Sequence, residues 1–376
     1  MKILIVRDRE SAGGGIFNYY QALAPHLKFQ VRFLGIGKPH DCYGVGKGLI
    51  YRFTPVRLLL EWLSLALQII IFCPQIVHVN PGLDVISFRS LRRDAISVLI
   101  AKALRRKVIV FWRGWHNSWL GEKTFPGGNN HWICRAYKRA SVQIVLASRF
   151  KDDLHKWGFG MPIYVETTVA SDECLNTKNS AGPSDGSINL LYLSRIEIGK
   201  GVFELLDAYK VLKEKNARYR LTIAGDGPDL EELKAYAKEI GAEDIHFPGF
   251  VSGEAKIACY CEGSLFCFPS YTEGMPNAVL EALAFGLPVV ASKAGGLKDI
   301  LQEGKTGACL ELLDGPPRKR FDPVKMAEVI DQLISNQELC RQIADHNTSY
   351  ARERFAAPKV AARLEAIYAE ALAEKG

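Results

Sequence analysis

The sequence predicts an α/β protein built from two doubly wound parallel sheets, and three observations carry that prediction. Short apolar strands alternate with amphipathic helices from end to end, a pattern that calls for parallel sheets covered on both faces. One polar stretch, SDECLNTKNSAGPSDGS at residues 171–187, interrupts the pattern. The charge divides at the same place: residues 1–170 hold 24 Lys+Arg and 10 Asp+Glu, residues 171–376 hold 24 and 31, so the halves carry +14 and −7 of the net +7.

In the first half, strands are predicted at 2–7, 30–34, 76–80, 107–112, 143–147 and 162–166. In the second they are predicted at 189–193, 219–224, 245–247, 265–269, 288–292 and 308–311. Twelve strands are too many for one ordinary sheet, so two sheets of about six are expected. Helices at 202–213 and 230–240 show an amphipathic period. The apolar run 58–72 is shorter than the roughly 20 residues of a membrane span and is expected to be a buried helix. These elements give Rossmann-like domains at 1–170 and 188–355, a linker at 171–187, and a last helix within 356–376 that packs back on the first domain. Two such domains joined once are expected to face a cleft. Residues 40–48 read as a loop. The nine Cys lack metal spacing, and an odd count with no secretory leader predicts reduced thiols in the cytoplasm.

The strongest chemical signal is YTEGMPNAVLEALAFGLPVVAS, residues 271–292. A strand ends at Pro269, and a loop follows with Glu273 and Gly274. Pro276 suits a first helical turn, where its missing N–H would have had no partner. The helix ends at Gly286, a C-cap residue. Free N–H groups and the positive dipole end at such a helix start favour an anion. Glu273 and Glu281 stand about 12 Å apart at most, from a rise of 1.5 Å per residue. That is too far to work on one bond and suits the two ends of an elongated ligand with an anionic middle. A nucleotide sugar fits, because carboxylates accept from hexose and ribose hydroxyls. The plain alternative is a capping acid plus a solvated helix acid.

Arg195 and Lys200, in LSRIEIGKG, stand between a strand end and a helix start. Two cations there can hold a diphosphate and neutralise it as it leaves. Gly225, in IAGDGP, makes a tight turn after the next strand, and Phe250 and Val251 after the following one can wall a base. All these segments end strands of one sheet, where α/β proteins bind ligands.

Together these residues resemble the retaining GT-B glycosyltransferases of family four, a group that includes bacterial polysaccharide and lipid glycosyltransferases. The resemblance rests on Glu273-GMPNAVL-Glu281, on Arg195 with Lys200-Gly201, and on Gly225-Asp226-Gly227-Pro228. It also rests on Gly13-Gly14-Gly15 after the first strand and on PQIVHVN, residues 74–80. It implies a hexosyltransferase using a nucleotide sugar, by family habit a UDP-sugar. Glu273 would then hold the donor hexose, Glu281 the ribose, and the backbone of Gly274, Met275, Pro276 and Asn277 the sugar and phosphate, with Gly14 and Gly15 also on the donor side. The implied acceptor is a glycan or lipid-linked phosphate, in cell-surface polysaccharide or glycolipid synthesis. The sequence departs from the family twice. Arg113-Gly114 stands where a His-Gly pair is common, with His116 three residues on, and the Asn-Gly pair that often closes the first domain is missing from VETTVAS, residues 165–171.

The sequence has neither the Asp-x-Asp metal motif of the other main glycosyltransferase fold nor a zinc-spaced His/Cys set. No metal or other cofactor is therefore expected, and Arg195, Lys200 and the helix start are expected to stabilise the leaving diphosphate. Retention with no clearly placed carboxylate nucleophile favours same-face attack, in which the leaving phosphate oxygen takes the acceptor's proton.

The acceptor side is expected in the first domain. Trp112, Trp115 and Trp119 lie beside Arg113 and His116, and tryptophan faces stack on sugars or anchor at membrane interfaces. Core aromatics would look the same. Arg89, Arg92, Arg93, Lys102, Arg105, Arg106 and Lys107 mark the ends of one helix. With +14 on the domain they predict an anionic partner such as a cytoplasmic membrane face; no nucleic-acid module is recognisable. A nicotinamide-dependent oxidoreductase would need a G-x-G-x-x-G turn, which AGGGIFNYY lacks. A sugar-nucleotide epimerase or hydrolase on the same fold stays open, and product analysis with and without acceptor separates it from a transferase.

Overall fold

The structure, a computed structural model, describes residues 1–8, 15–37, 54–83, 88–115, 119–177, 183 and 185–373. Two compact units emerge, Met1–Thr168 with Ala357–Gly376, and Val169–Ala356.

The first unit runs β1 (Lys2–Asp8), α1 (Gly15–Leu23), β2 (Gln30–Ile36), α2 (Thr54–Phe72), β3 (Ile76–Val79), β4 (Gly82–Leu83), α3 (Phe88–Ala103), β5 (Lys107–Phe111), β6 (Gly114–Trp115), α4 (Trp132–Tyr137), β7 (Val142–Val145), α5 (Ser148–Lys156) and β8 (Ile163–Val165). Six of these strands form one parallel sheet in the order β2-β1-β3-β5-β7-β8. β3 and β7 are buried at every residue, as expected where both faces of a parallel sheet are covered. β4 and β6 add a two-residue parallel pairing, too short to leave a sequence period.

The expectation of a buried helix at 58–72 is corrected. α2 buries Leu65 and Ile69 but leaves seven large aliphatic side chains exposed. Apolar residues of the run fall on opposite sides of the helix, and composition alone cannot say which of them find neighbours.

The second unit runs α6 (Asp172–Asn176), β9 (Ile188–Leu193), α7 (Val202–Lys215), β10 (Tyr219–Ala224), α8 (Leu230–Glu239), β11 (Ile245–Gly249), α9 (Gly253–Glu262), β12 (Leu265–Phe268), α10 (Asn277–Ala284), β13 (Val289–Ser292), α11 (Leu297–Ile300), β14 (Gly307–Leu310), α12 (Pro323–Ser335) and α13 (Gln337–Arg354). Its parallel sheet has the order β11-β10-β9-β12-β13-β14. The winding reverses between β9 and β12, whose Leu190 and Leu265 are in register. The core gathers Phe203, Leu206 and Tyr209 of α7 and Met326 and Ile330 of α12 beside Leu190, Tyr192 and Leu221 of the sheet.

α6 corrects the linker expectation in part. Ser171 caps it by accepting the Cys174 N–H, and Cys174 and Leu175 are buried. Five residues are too few to show a period. Residues 178–182 and 184 lie outside the described residues. The last helix, α14 (Ala357–Ala373), belongs to the first unit: Arg363 forms a two-bond ion pair with Glu166, and Tyr368 bonds His78.

Candidate active site

In a doubly wound sheet, ligands bind outside the carboxyl ends of the strands where the winding reverses. In the second unit those ends are β9 and β12. The chain leaves β9 into the Arg195–Lys200 loop and starts α7 just after Gly201. It leaves β12 into the Tyr271–Met275 loop and starts α10 just after Pro276. Two helix N-termini, with free N–H groups and positive dipole ends, therefore stand at the same reversal point.

The two loops are clipped together. The Tyr271 N–H donates to the Gly199 carbonyl at 3.0 Å. Gly201 has φ +65°, and a Cβ there would lie 2.0 Å from the Pro269 carbonyl oxygen, so the approach requires glycine. Behind the clip, Tyr271 Oη donates to the buried Glu204 at 2.6 Å, and the Arg320 N–H donates to the same Glu204 oxygen. Asp229 fixes the other loop by accepting the Ile198 N–H at 2.7 Å.

The clip brings Lys200 and Glu273 together, with Nζ 2.6 Å from Oε1. The Glu273 loop is held from its far side by Gly295, at φ +53°, where a Cβ would fall 1.6 Å from the Glu273 carbonyl oxygen. The Gly296 N–H donates to the Gly274 carbonyl at 2.9 Å. Met275 is buried, Pro276 is the N-cap of α10 and Asn277 opens it, so the helix begins one residue later than the sequence suggested.

Glu281 lies within α10 and is buried. Its Oε1 accepts from Lys256 Nζ at 2.7 Å and its Oε2 from Tyr260 Oη at 3.0 Å. Burial works against the Lys256 charge, yet the adjacent Glu281 carboxylate holds its pKa above the ordinary lysine value. Burial, reinforced by Glu281, keeps Tyr260 protonated. Lys256 and Tyr260 were missed in the sequence. Their four-residue spacing on α9 puts them on one helix face, but nothing in the sequence pairs that face with α10.

The other predicted residues are spread around this point. Arg195 is the outlier: its side chain is 71% exposed, with Nη2 3.6 Å from Glu197. Gly225 follows β10 at φ +147°, and a Cβ there would lie 1.8 Å from the Ser194 carbonyl oxygen, so glycine lets the turn lie against the β9 loop. Phe250 is exposed and Val251 half-buried in the loop after β11.

In the first unit, Arg113 follows β5 and is held in a polar chain. Tyr368 Oη bonds His78 Nδ1 at 2.7 Å, His78 Nε2 bonds Tyr20 Oη at 3.2 Å, and Tyr20 donates to Asn80 Oδ1 at 2.8 Å. Arg113 Nε also donates to Asn80 Oδ1, at 3.0 Å. Because Tyr20 spends its proton on Asn80, His78 carries its own proton on Nε2 and accepts from Tyr368 at Nδ1. The guanidinium of Arg113 lies 3.6 Å from the Phe111 ring centroid and 3.9 Å from that of Tyr19.

Trp112 and Trp115 are core residues and offer no open face. Trp115 stacks on Phe150 at 4.5 Å and on Trp157 at 5.4 Å, while Trp112 donates to Gln143. Trp119 is half-buried. Gly13, Gly14 and His116 lie outside the described residues, and Gly15 is the first residue of α1.

Residues 176–350 match the family described as glycosyl transferases group 1. An uncharacterized glycosyltransferase of Haemophilus influenzae is 32% identical over 180 residues, which is 47% of this chain and 48% of that protein. The sulfoquinovosyl transferase SQD2 of Arabidopsis thaliana is 29% identical over 294 residues, 72% of this chain and 54% of that one. The chain thus spans about half the length of the curated relatives it matches. Among solved structures, Anabaena Alr3699/HepE in complex with UDP and glucose superposes with a TM-score of 0.70 at 18% identity, covering 98% of this chain and all of that one. That likeness shows the fold, a GT-B architecture of two parallel-sheet α/β domains.

Proposed function

We propose, for a chain whose residues 176–350 match the glycosyl transferases group 1 family, that it is a retaining glycosyltransferase moving a hexose from a nucleotide sugar to an acceptor. The observation that carries this reading is the Lys200–Glu273 contact at the β9–β12 reversal, flanked by two helix N-termini. A diphosphate needs cations and N–H donors; a hexose needs a carboxylate for its hydroxyls. Both are present within one hydrogen bond of each other. In this reading Glu281, on α10 and held by Lys256 and Tyr260 of α9, takes the ribose.

In this reading Glu273 orients the hexose, and Lys200 with Arg195 and the start of α10 stabilises the diphosphate as it leaves, a role that needs no metal ion. Same-face attack gives retention, the leaving phosphate oxygen taking the acceptor's proton. The UDP complexes of fold neighbours support a UDP-sugar donor. The acceptor is a glycan or a lipid-linked phosphate, in cell-surface polysaccharide or glycolipid synthesis at the cytoplasmic side of a membrane.

The test is transfer from UDP-, GDP- and ADP-sugars to a short lipid-phosphate or glycan acceptor, with product stereochemistry read by proton NMR before mutarotation. Retained configuration and turnover unchanged by EDTA are expected. Inverted product, or isomerised or hydrolysed donor at the same rate without acceptor, would overturn the proposal.

A further inference from the structure

α2 is arranged in the reverse of a water-facing helix. Its charged pair points inward: Arg57 and Glu61 are 9% and 4% exposed, with Nε 3.5 Å from Oε1, and Glu61 accepts the Gly37 N–H at 3.0 Å. Every exposed residue from Pro55 to Ile71 is apolar. Val56, Leu59, Leu60, Leu63, Leu67, Ile70 and Ile71 are between 46% and 62% exposed. At about 100° per residue they fall in an arc of roughly 120°. The opposite face, with Leu65, Ile69 and Phe72, is packed in the core of the first unit, so α2 lies along its surface.

We infer that this face is a membrane-docking surface, which enters the headgroup–acyl boundary of an anionic bilayer with α2 parallel to the plane. Two features select lipid over protein. The first is area. A 19-residue helix is about 28 Å long, and a strip roughly 10 Å wide gives about 280 Å², against about 800 Å² per partner in a stable protein interface. The exposed strip is Leu, Ile and Val, whereas the core of a protein interface favours aromatic residues, Met and Arg. The second is charge. α3 packs beside α2, with Trp62 Nε1 donating to the Arg93 carbonyl, and its exposed charges are Arg89 and Arg92. Past the other edge of the strip, the exposed Arg32 donates to Gln68 Oε1 at 2.9 Å. A strip of aliphatic side chains bordered by cations is the pattern of an interfacial helix on anionic lipid. The inference stands on α2 and its borders and does not depend on the donor chemistry.

The test uses the full chain with vesicles of phosphatidylcholine alone or mixed with phosphatidylglycerol. Co-sedimentation with the mixed vesicles is expected at low salt, with reduced but measurable binding at high salt because burial of the aliphatic strip is not screened. Leu63→Gln with Leu67→Gln should lower partitioning by about tenfold or more, and Arg89→Gln by roughly fivefold at low salt only. Hydrogen exchange on the unmodified protein provides a readout that needs no variant: peptides covering 55–72 should gain protection when mixed vesicles are added. No binding at low salt, no protection in those peptides, or an unchanged partition in the folded double variant would overturn the proposal. So would a stable dimer, by light scattering, that the Leu63/Leu67 variant dissolves and that leaves vesicles unbound.

Discussion

Lys200 Nζ sits 2.6 Å from Glu273 Oε1, joining two loops 73 residues apart in sequence, and the two side chains are only 18% and 10% exposed. The pair satisfies both charges without a ligand. A nucleotide sugar would draw on each separately, the diphosphate on Lys200 and the hexose hydroxyls on Glu273. Lys200→Ala and Glu273→Ala should each lower turnover by about 10²–10³ while the protein stays folded. Because the residues are in contact, the double variant should lose less than the product of the two. Steady-state kinetics on the four proteins of this cycle measures the coupling, and multiplicative losses would show that the two act independently.

Glu281 depends on Lys256 and Tyr260 for its position. Lys256→Met removes one partner of a mostly buried carboxylate and should cost about 1–3 kcal/mol of stability. Glu281→Gln should weaken binding of the free nucleoside diphosphate more than it lowers the melting temperature. Calorimetric titration with UDP beside thermal unfolding separates the two effects. Wild-type affinity in Glu281→Gln would remove this residue from the nucleotide site.

Gly295 and Gly241 form a matched pair for testing the loop geometry. Both have positive φ, +53° and +65°, but a Cβ at Gly295 would meet the Glu273 carbonyl at 1.6 Å whereas one at Gly241 meets nothing within 4 Å. Gly241→Ala should cost only about 1–2 kcal/mol for the left-handed backbone, with turnover unchanged. Gly295→Ala should displace the Glu273 loop and reduce turnover at least tenfold. Equal turnover in the two variants would contradict this account of how Glu273 is positioned.

His78 makes the first unit sensitive to acid. Burial, helped by the Arg113 charge, holds its pKa well below 6.5. The unfolded chain takes up this proton near pH 6.5 while the folded chain does not, so stability falls as pH drops below that value. It keeps falling until the folded-state pKa is reached, with a slope of up to about 1.4 kcal/mol per pH unit. His78→Gln should be less stable at pH 7.5 but should flatten the profile between pH 6.5 and 5. Denaturant unfolding at several pH values measures it, and parallel profiles would assign the acid loss to other groups.

Strand–helix alternation sufficed to read the two six-stranded sheets, because a fully covered parallel strand must be a short continuous apolar run. The residue types around Glu273, Glu281 and Lys200 were legible for the same kind of reason: strand ends, glycine turns and helix starts leave local marks. Tertiary structure decided what those marks touch. Lys256 and Tyr260 reach Glu281 only because α9 and α10 pack together. Trp115 is taken into the core by Phe150 and Trp157, from α5 and its C-cap, 35 and 42 residues further along the chain. The +14 of residues 1–170 follows from composition, but the outward aliphatic face of α2 does not. A helix with apolar residues on both its outward and its inward side carries no local signal for which side the fold will cover, and only the packing of Leu65 and Ile69 against the rest of the unit settles that.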